Sequence, residues 1–395
     1  MALSRFLTRL SLLATLALLS ACLSPIALDR AALAYNQATA DVLSKQLLLN
    51  IARAHHNEPI HFSGISNIAA TFTFQMNAGA TPALTGEAGS TILPLFGIAA
   101  SESPTVSIVP MDGEEFTKRL LTPLQENKMT LLLRQNIDVD LLLRLVAQDY
   151  RNRENGRETV YHNSPTHPQS YAAFRRVVLH LSSIQDRLHL HAEPLLFEQQ
   201  WRLPAAAMTA EGFKNLAQEY AISFDAAHQQ YRLGKQISGR IIITNYDPAL
   251  LSNDERIQLN NEAEQNSPND LTIDIRPDYP GGEYPLHGKF RLRSFGNILN
   301  FIGRSMAREP EFDVSPDPRT QQVTENPTYA LHILENSRYA LNGELDLNYK
   351  DSRYSLAKDH GYPWNKTAFR LLAQIFQMTM AELPKSNAPL ITISK

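Results

Sequence analysis

One short segment, His189-Leu-His191-Ala-Glu193, holds the residues best suited to bind a metal ion. Residues two apart on a β-strand point to the same face, so both imidazoles and the carboxylate would lie side by side. Zinc accepts such nitrogen and oxygen ligands, and catalytic zinc sites commonly have three protein ligands and a bound water. The segment therefore predicts the metal site of a hydrolase. The same alternation also fits an ordinary half-exposed strand, whose apolar residues face the core.

A second histidine cluster, His55, His56 and His61, lies near the end of a predicted helix. The first two fall in its last turn, where the helix dipole favours protonated imidazole. Catalysis there would need a neighbouring nucleophile or carboxylate, and Glu58 is the only acidic residue close in sequence. We therefore predict a capping role for these histidines and assign no catalytic residue.

Complete catalytic motifs are absent from the sequence. It contains no G-x-S-x-G, Walker A, G-x-G-x-x-G or H-E-x-x-H pattern, which disfavours serine hydrolases, nucleotide-dependent enzymes and zincins. The chain of 395 residues has 37 basic and 40 acidic side chains. This mild acidity gives no general attraction to nucleic acid, so we predict no nucleic-acid partner.

The single cysteine, Cys22, follows a segment with the layout of a secretory signal. Arg5 and Arg9 precede an apolar stretch that is shorter than the roughly 20 residues of a transmembrane helix. The sequence Leu19-Ser-Ala-Cys22 resembles the lipobox of bacterial lipoprotein precursors. That resemblance implies removal of residues 1–21, a covalent lipid on Cys22 and no other cofactor. Because Leu23 replaces the Asp that retains such proteins at the inner membrane, it implies an outer-membrane anchor facing the periplasm.

Segments 66–76 and 91–101 predict a long β-hairpin. The first alternates apolar and polar residues, as a half-buried strand does, and residues 91–100 carry no charge. Each segment has about the length of a transmembrane strand, ~9–11 residues, so hairpins from several copies could form an outer-membrane pore. The alternative is a soluble hairpin packed on the first helix. The uncharged segment is a candidate contact surface for a partner or the membrane, formed by Leu93, Leu95, Phe96 and Ile98.

The elements predict an α+β fold, in which an N-terminal helix, a β-hairpin and helices precede mixed strand and helix segments. Asp138 and the pair Ser252 and Glu255 are predicted helix caps, and Lys350-Asp351 is a predicted hairpin turn. The predicted organisation is a signal peptide at 1–21, a helix, hairpin and helical region at 22–150, a linker or long loop at 151–168, a central α+β domain at 169–308, a Pro-rich loop at 309–327, and a C-terminal hairpin and helix at 328–395, packed on the central domain.

Two stretches resemble a group of proteobacterial lipoproteins for which no activity is established. One is Leu47-Leu-Leu-Asn50-Ile-Ala-Arg53 with residues 58–62 and 66–68, and the other is Arg291-Leu-Arg-Ser294 with residues 298–299 and 302–303. The resemblance implies an envelope lipoprotein and supplies no activity. Asn50 and Arg53 lie one turn apart near a helix end, which predicts a packing role.

Together these features predict a non-enzymatic structural or assembly protein of the envelope, held by its lipid and bound to an envelope protein. Two alternatives stay open. One is a periplasmic hydrolase with a metal at His189, His191 and Glu193, and the other is the hairpin pore. The oligomeric state is left open.

Overall fold

The computed structural model describes residues 23–82, 92–135, 137–154, 156–337 and 345–380. The predicted signal peptide and Cys22 lie outside the described residues. Those residues contain nine helices and twelve strands, which confirms the predicted α+β class. The described chain divides into two compact units, a smaller one of residues 23–46, 61–82 and 92–113 and a larger one within residues 47–60 and 114–380.

The smaller unit is built on a long antiparallel hairpin. Strands β1 (Phe62–Pro82) and β2 (Ile92–Met111) pair from Phe62 opposite Met111 to Pro82 opposite Ile92. Helix α1 (Leu23–His55) supplies its first residues to this unit and its last turns to the larger one. Both predicted segments lie in this hairpin, but their register differs from a direct pairing: residues 67–76 pair with 98–107, and residues 92–101 pair with 73–82. Pro104 interrupts nothing, since proline is tolerated on edge strands.

A side-chain amide fastens α1 to the base of this hairpin. The Gln46 Nε2 atom donates to the Ser63 carbonyl oxygen over 2.9 Å, and the Ser63 N–H donates to Gln46 Oε1 over 2.8 Å. The amide thus pairs with the strand as a neighbouring backbone would, which satisfies two polar groups at the start of β1.

The larger unit contains a seven-stranded sheet in the order β4-β3-β9-β8-β7-β5, with β6 also paired to β7. All pairs are antiparallel except β7 with β8. The strands are β3 (Ala147–Glu154), β4 (Arg157–His162), β5 (His191–Pro204), β6 (Ala221–Asp225), β7 (Gln230–Thr244), β8 (Asp270–Ile275) and β9 (Leu286–Leu292).

The prediction of a linker or long loop at 151–168 is wrong, because this segment contains most of the β3–β4 hairpin. Arg151 lies opposite Val160, and β3 also pairs with β9. The turn contains Gly156 at φ +75°, a conformation that glycine adopts without a Cβ penalty. A helix begins at Pro168, the last residue of the segment.

Eight further helices complete the described chain. Asp138 caps α4 by accepting from the Asp140 N–H, and Ser252 with Glu255 forms the predicted capping box of α7. None of the helices in the described part of the chain is long and apolar enough to cross a membrane. The helices are α2 (Gly113–Leu121), α3 (Glu126–Leu133), α4 (Val139–Val146), α5 (Pro168–Gln185), α6 (Ala210–Leu216), α7 (Asn253–Glu264), α8 (Phe295–Ser305) and α9 (Trp364–Met380).

A small antiparallel sheet of three strands lies near the C-terminal end of the larger unit. Its order is β10 (Ile333–Ser337), β12 (Ser352–Leu356) and β11 (Asp346–Tyr349). The turn between β11 and β12 contains Lys350 at φ +52°, so the hairpin turn predicted at this residue is confirmed.

Buried charges tie the proline-rich segment 309–327 to helices α4 and α5. The Arg144 guanidinium of α4 contacts Glu311 at 2.6 Å, and Arg175 of α5 donates to Asn326 over 2.7 Å and also pairs with Asp140. The four charged side chains are at most 3% exposed. The segment forms no helix or strand, as predicted for a loop. The buried ion pair of Glu311 with Arg144 nevertheless holds the segment against α4, because a buried charge is tolerated only when it is paired and hydrogen-bonded.

Candidate functional site

Three side chains of the larger unit converge at the end of helix α1. They are His55, the last residue of that helix, His56, which directly follows it, and Glu335 on β10. Within the residues that the structure describes, they are the only group of three whose possible metal-ligating atoms lie within 4.8 Å of one another. The site therefore joins two adjacent histidines to a carboxylate from a distant part of the sequence.

The end of α1 is held in place by its backbone and by its apolar neighbours. Leu48 and Ile51 are fully buried. Asn57 adopts the left-handed conformation at φ +61°, its N–H donates to the Ala54 carbonyl, and the Glu58 N–H donates to the Arg53 carbonyl. These two bonds form a Schellman motif. The helix end predicted at these histidines is confirmed, and its rigid termination fixes both imidazoles.

Gly303 of helix α8 lets that helix approach α1 closely. A Cβ atom at this position would lie 2.6 Å from the His55 backbone nitrogen and 2.9 Å from the Ala54 carbonyl carbon. The Gly303 carbonyl oxygen lies 3.0 Å from His55 Nδ1. A carbonyl oxygen only accepts, so Nδ1 carries the hydrogen and donates it.

This bond determines what the other ring nitrogen of His55 can do. Nε2 lies 3.1 Å from Oε2 of Glu335, and the side chains are 11% and 30% exposed. With the hydrogen on Nδ1, a neutral ring would direct the Nε2 lone pair at a carboxylate oxygen. Two electron-rich atoms at this distance need a cation between them, either a proton on an imidazolium or a metal ion.

Tyr354 links the other histidine to the same carboxylate. Its hydroxyl donates to Glu335 Oε1 over 2.7 Å and lies 2.7 Å from His56 Nε2, which therefore donates to the hydroxyl oxygen. The Nδ1 atom of His56 then keeps its lone pair. Burial and the Lys350 charge lower the pKa of His56, which favours the neutral ring.

The hydrogen bond between the Tyr354 hydroxyl and the Glu335 carboxylate shifts the pKa of both groups. Burial alone would raise the pKa of Glu335, but hydrogen bonds from Tyr354 and Ser352 and the neighbouring histidines bring that pKa below its usual range. Burial and the Glu335 carboxylate raise the pKa of Tyr354. The cluster therefore presents an ionised carboxylate and a neutral phenol at neutral pH.

Glu58 occupies the flank of the cluster and serves a different partner. Lys350 Nζ lies 2.5 Å from Glu58 Oε1, and the Tyr349 hydroxyl donates to Oε2. These hydrogen bonds lower the pKa of Glu58. Glu58, the acid close to the histidines in sequence, is thus paired with a lysine. The carboxylate beside the histidines is that of Glu335. The remaining histidine of the predicted cluster, His61, belongs to the smaller unit.

The predicted metal triad of His189, His191 and Glu193 is not brought together. The prediction required an extended chain from residue 189, but β5 begins only at His191. The preceding residues form the end turn of α5, in which Leu188 has φ +63° and the His189 N–H donates to the Ile184 carbonyl. His189 is therefore not in register with the strand, and Glu193 is exposed.

The predicted contact residues are all placed on strand β2. Leu93, Leu95, Phe96 and Ile98 pair with Thr81, Gly79, Ala78 and Met76 of β1, in the part of the hairpin farthest from Met111. The side chains of this part lie outside the described residues, so the proposed contact surface stays a prediction.

No family model, curated protein or solved structure matched the chain. The resemblance of residues 47–53 and 291–303 to proteobacterial lipoproteins therefore also stays a prediction. Gly303, which belongs to the second stretch, lies against Ala54 and His55, the two residues that follow the first.

Proposed function

We propose that the protein is a lipid-anchored, non-enzymatic assembly factor of the outer membrane that faces the periplasm and binds an envelope protein through its β1–β2 hairpin. The observation that carries this proposal is the hairpin itself. Its strands pair along their whole length, and within the described residues neither strand pairs with a third one.

A hairpin of this kind favours pairing with another chain. A strand of 20 residues extends about 65 Å at ~3.3 Å per residue. A strand edge that has no neighbouring strand can template the addition of a further strand. Two-stranded hairpins are marginally stable alone in water, and β-strand addition is a common way to bind an extended segment. The hairpin therefore supports a binding role.

The proposed anchor would place the start of α1 beside the membrane. Helix α1 begins at Leu23, directly after Cys22. Stable anchoring takes at least two lipid signals, since one acyl chain binds only marginally. Mass spectrometry of the mature N-terminal peptide should therefore find acyl chains on Cys22, and a Cys22→Ser variant should not carry them.

A pull-down from gently solubilised envelopes tests the binding role. The bait is the lipidated protein with a C-terminal tag, compared with a variant in which the four predicted contact residues become serine. The matched control carries four leucine-to-serine changes at exposed positions of the larger unit. These control positions are Leu121, Leu131, Leu188 and Leu250, which are 59–89% exposed.

We expect the native bait and the control to recover the same envelope protein, and the hairpin variant to lose it. Recovery of untagged copies of the same chain would instead support the pore alternative. Equal recovery by the hairpin variant, or recovery of the bait alone, contradicts the assembly role. The hydrolase alternative is not carried forward, because its three ligands are not grouped.

A further inference from the structure

We propose that His55, His56 and Glu335 bind a zinc ion. This site goes beyond the proposed assembly role and does not depend on it, since all three residues belong to the larger unit and none lies on the hairpin.

His55 is already oriented as metal-binding histidines are. Its Nδ1–H donates to the Gly303 carbonyl oxygen over 3.0 Å, which leaves Nε2 as the ligand atom. A metal-ligating histidine almost always donates its other ring N–H to a carbonyl or carboxylate, because that bond fixes both the tautomer and the ring orientation. Here the bond directs Nε2 at the Glu335 carboxylate, 3.1 Å away.

His56 and Glu335 are oriented by a shared neighbour. The Tyr354 hydroxyl accepts from His56 Nε2 and donates to Glu335 Oε1, each over 2.7 Å. His56 then offers the lone pair of Nδ1, and Glu335 offers Oε2, which already faces His55 Nε2. The two imidazole rings lie edge to face with centroids 5.0 Å apart, so they can approach one ion from different sides.

The distances fit zinc after a small side-chain adjustment. Zinc bonds of about 2.0–2.2 Å in a tetrahedral site place neighbouring ligand atoms about 3.4 Å apart. One ring nitrogen of each histidine and one carboxylate oxygen of Glu335 lie within 4.8 Å of one another, so side-chain rotations that bring the ligand atoms closer by about 1 Å complete the site. The approach is open, because Glu335 is 30% exposed.

The donor set selects the kind of metal. Two imidazole nitrogens favour zinc and related transition metals over magnesium and calcium, which prefer oxygen ligands. Three protein ligands leave a fourth position for water. Lys350 does not compete for Glu335, because its ammonium group is paired with Glu58. The other explanation is a proton on His55 in place of the metal, which makes the cluster a simple hydrogen-bond network.

Titration of the metal-free mature chain with Zn²⁺ and with Co²⁺ separates these explanations. The tag must contain no histidine. Calorimetry measures the affinity and stoichiometry of zinc, and the visible bands of Co²⁺ report tetrahedral coordination. Glu335→Gln keeps the shape of the side chain but removes its charge, and His56→Ala removes a second ligand. His191→Ala is the matched control, since it changes a histidine of the same unit outside the cluster.

We expect one zinc per chain, tetrahedral Co²⁺ bands and a melting temperature that rises with zinc. Both cluster variants should lose at least about tenfold in affinity, while the control binds as the native protein does. The melting temperature of each metal-free variant shows that it folds. Absence of binding to the folded native protein, or equal affinity in Glu335→Gln, overturns the zinc site in favour of the proton.

Discussion

Replacing Asp138 with asparagine tests the electrostatics at the start of helix α4. The carboxylate caps the helix, since its Oδ1 atom accepts from the Asp140 N–H over 2.9 Å and from the Ser182 hydroxyl over 3.3 Å. Burial, followed by the nearby charge of Asp140, raises the pKa of Asp138 from 3.8 to about 6, and Asp186 adds to the shift. The folded protein therefore holds a proton on this group more tightly than the unfolded chain does.

The direction of the pH effect follows from this shift. A raised folded pKa contributes stability that is complete below the unfolded value of 3.8 and is lost as the pH rises through about 6. At ~1.4 kcal/mol per pKa unit, the native protein should lose up to about 3 kcal/mol between pH 4 and pH 8. Because Asp138 is partly exposed, we expect a smaller loss of about 1–2 kcal/mol after solvent screening.

Asparagine keeps the capping oxygen but never ionises. Ser, Asp and Asn cap helices about equally well, while loss of the anion at the helix start costs ~0.5 kcal/mol. Asp138→Asn should therefore be more stable than the native protein at pH 8, by about 1 kcal/mol, and should show no gain at pH 4. The exposed Asp247, which caps a short helical turn in the same way, provides the control Asp247→Asn.

Urea denaturation of the native protein and both variants at several pH values measures these differences. The prediction concerns the change in the free energy of unfolding between pH 4 and pH 8. A difference between Asp138→Asn and the native protein that stays constant with pH would refute the raised pKa of Asp138. The same pH-dependent gain in Asp247→Asn would show that the effect has no connection with burial.

Two further substitutions test the packing around the cluster and the buried charges. Gly303→Ala would place a Cβ atom 2.6 Å from the His55 backbone nitrogen, so we expect a loss of ~1–3 kcal/mol in the free energy of unfolding from overpacking; an unchanged urea midpoint would contradict this. Glu311→Gln leaves the guanidinium of Arg144, which is fully buried, without its closest carboxylate, so we expect a loss of ~3–5 kcal/mol. A loss below about 1 kcal/mol would contradict this and would mean that Asp140, whose Oδ2 atom lies 3.8 Å from Arg144 Nη1, is sufficient to neutralise the guanidinium.

Local sequence signals predicted the elements whose geometry is set locally. The cap at Asp138, the capping box at Ser252 and the turn at Lys350 depend on neighbouring residues, and all three are confirmed. The β3–β4 hairpin carried such a signal in Asn155-Gly156, a pair typical of two-residue hairpin turns. It was missed because the flanking strands are short and charged. Their partner β9, which buries Tyr150 against Phe290, is distant in sequence.

The candidate site also combines a part whose geometry is set locally with a part that only the tertiary fold brings to it. The sequence predicted the helix end that holds His55 and His56, but it predicted a capping role for these histidines and not a metal site. Glu335 was not recognised, because a strand far along the chain brings it to the histidines, and no spacing rule connects the two. The triad at residues 189–193 had the spacing of a metal site, but it lacked the extended backbone that would make this spacing effective.

The buried charges and the cluster are connected through the backbone that leads into β10. Arg144 donates to the carbonyl oxygens of Pro327 and Thr328, and Glu311 accepts from the Ala330 N–H over 2.7 Å. These contacts end three residues before β10, the strand that carries Glu335. A carboxylate that must lie within about 1 Å of its place to complete a metal site needs such a fixed support. Loss of Glu311 should therefore weaken zinc binding as well as the fold, although this residue touches neither histidine.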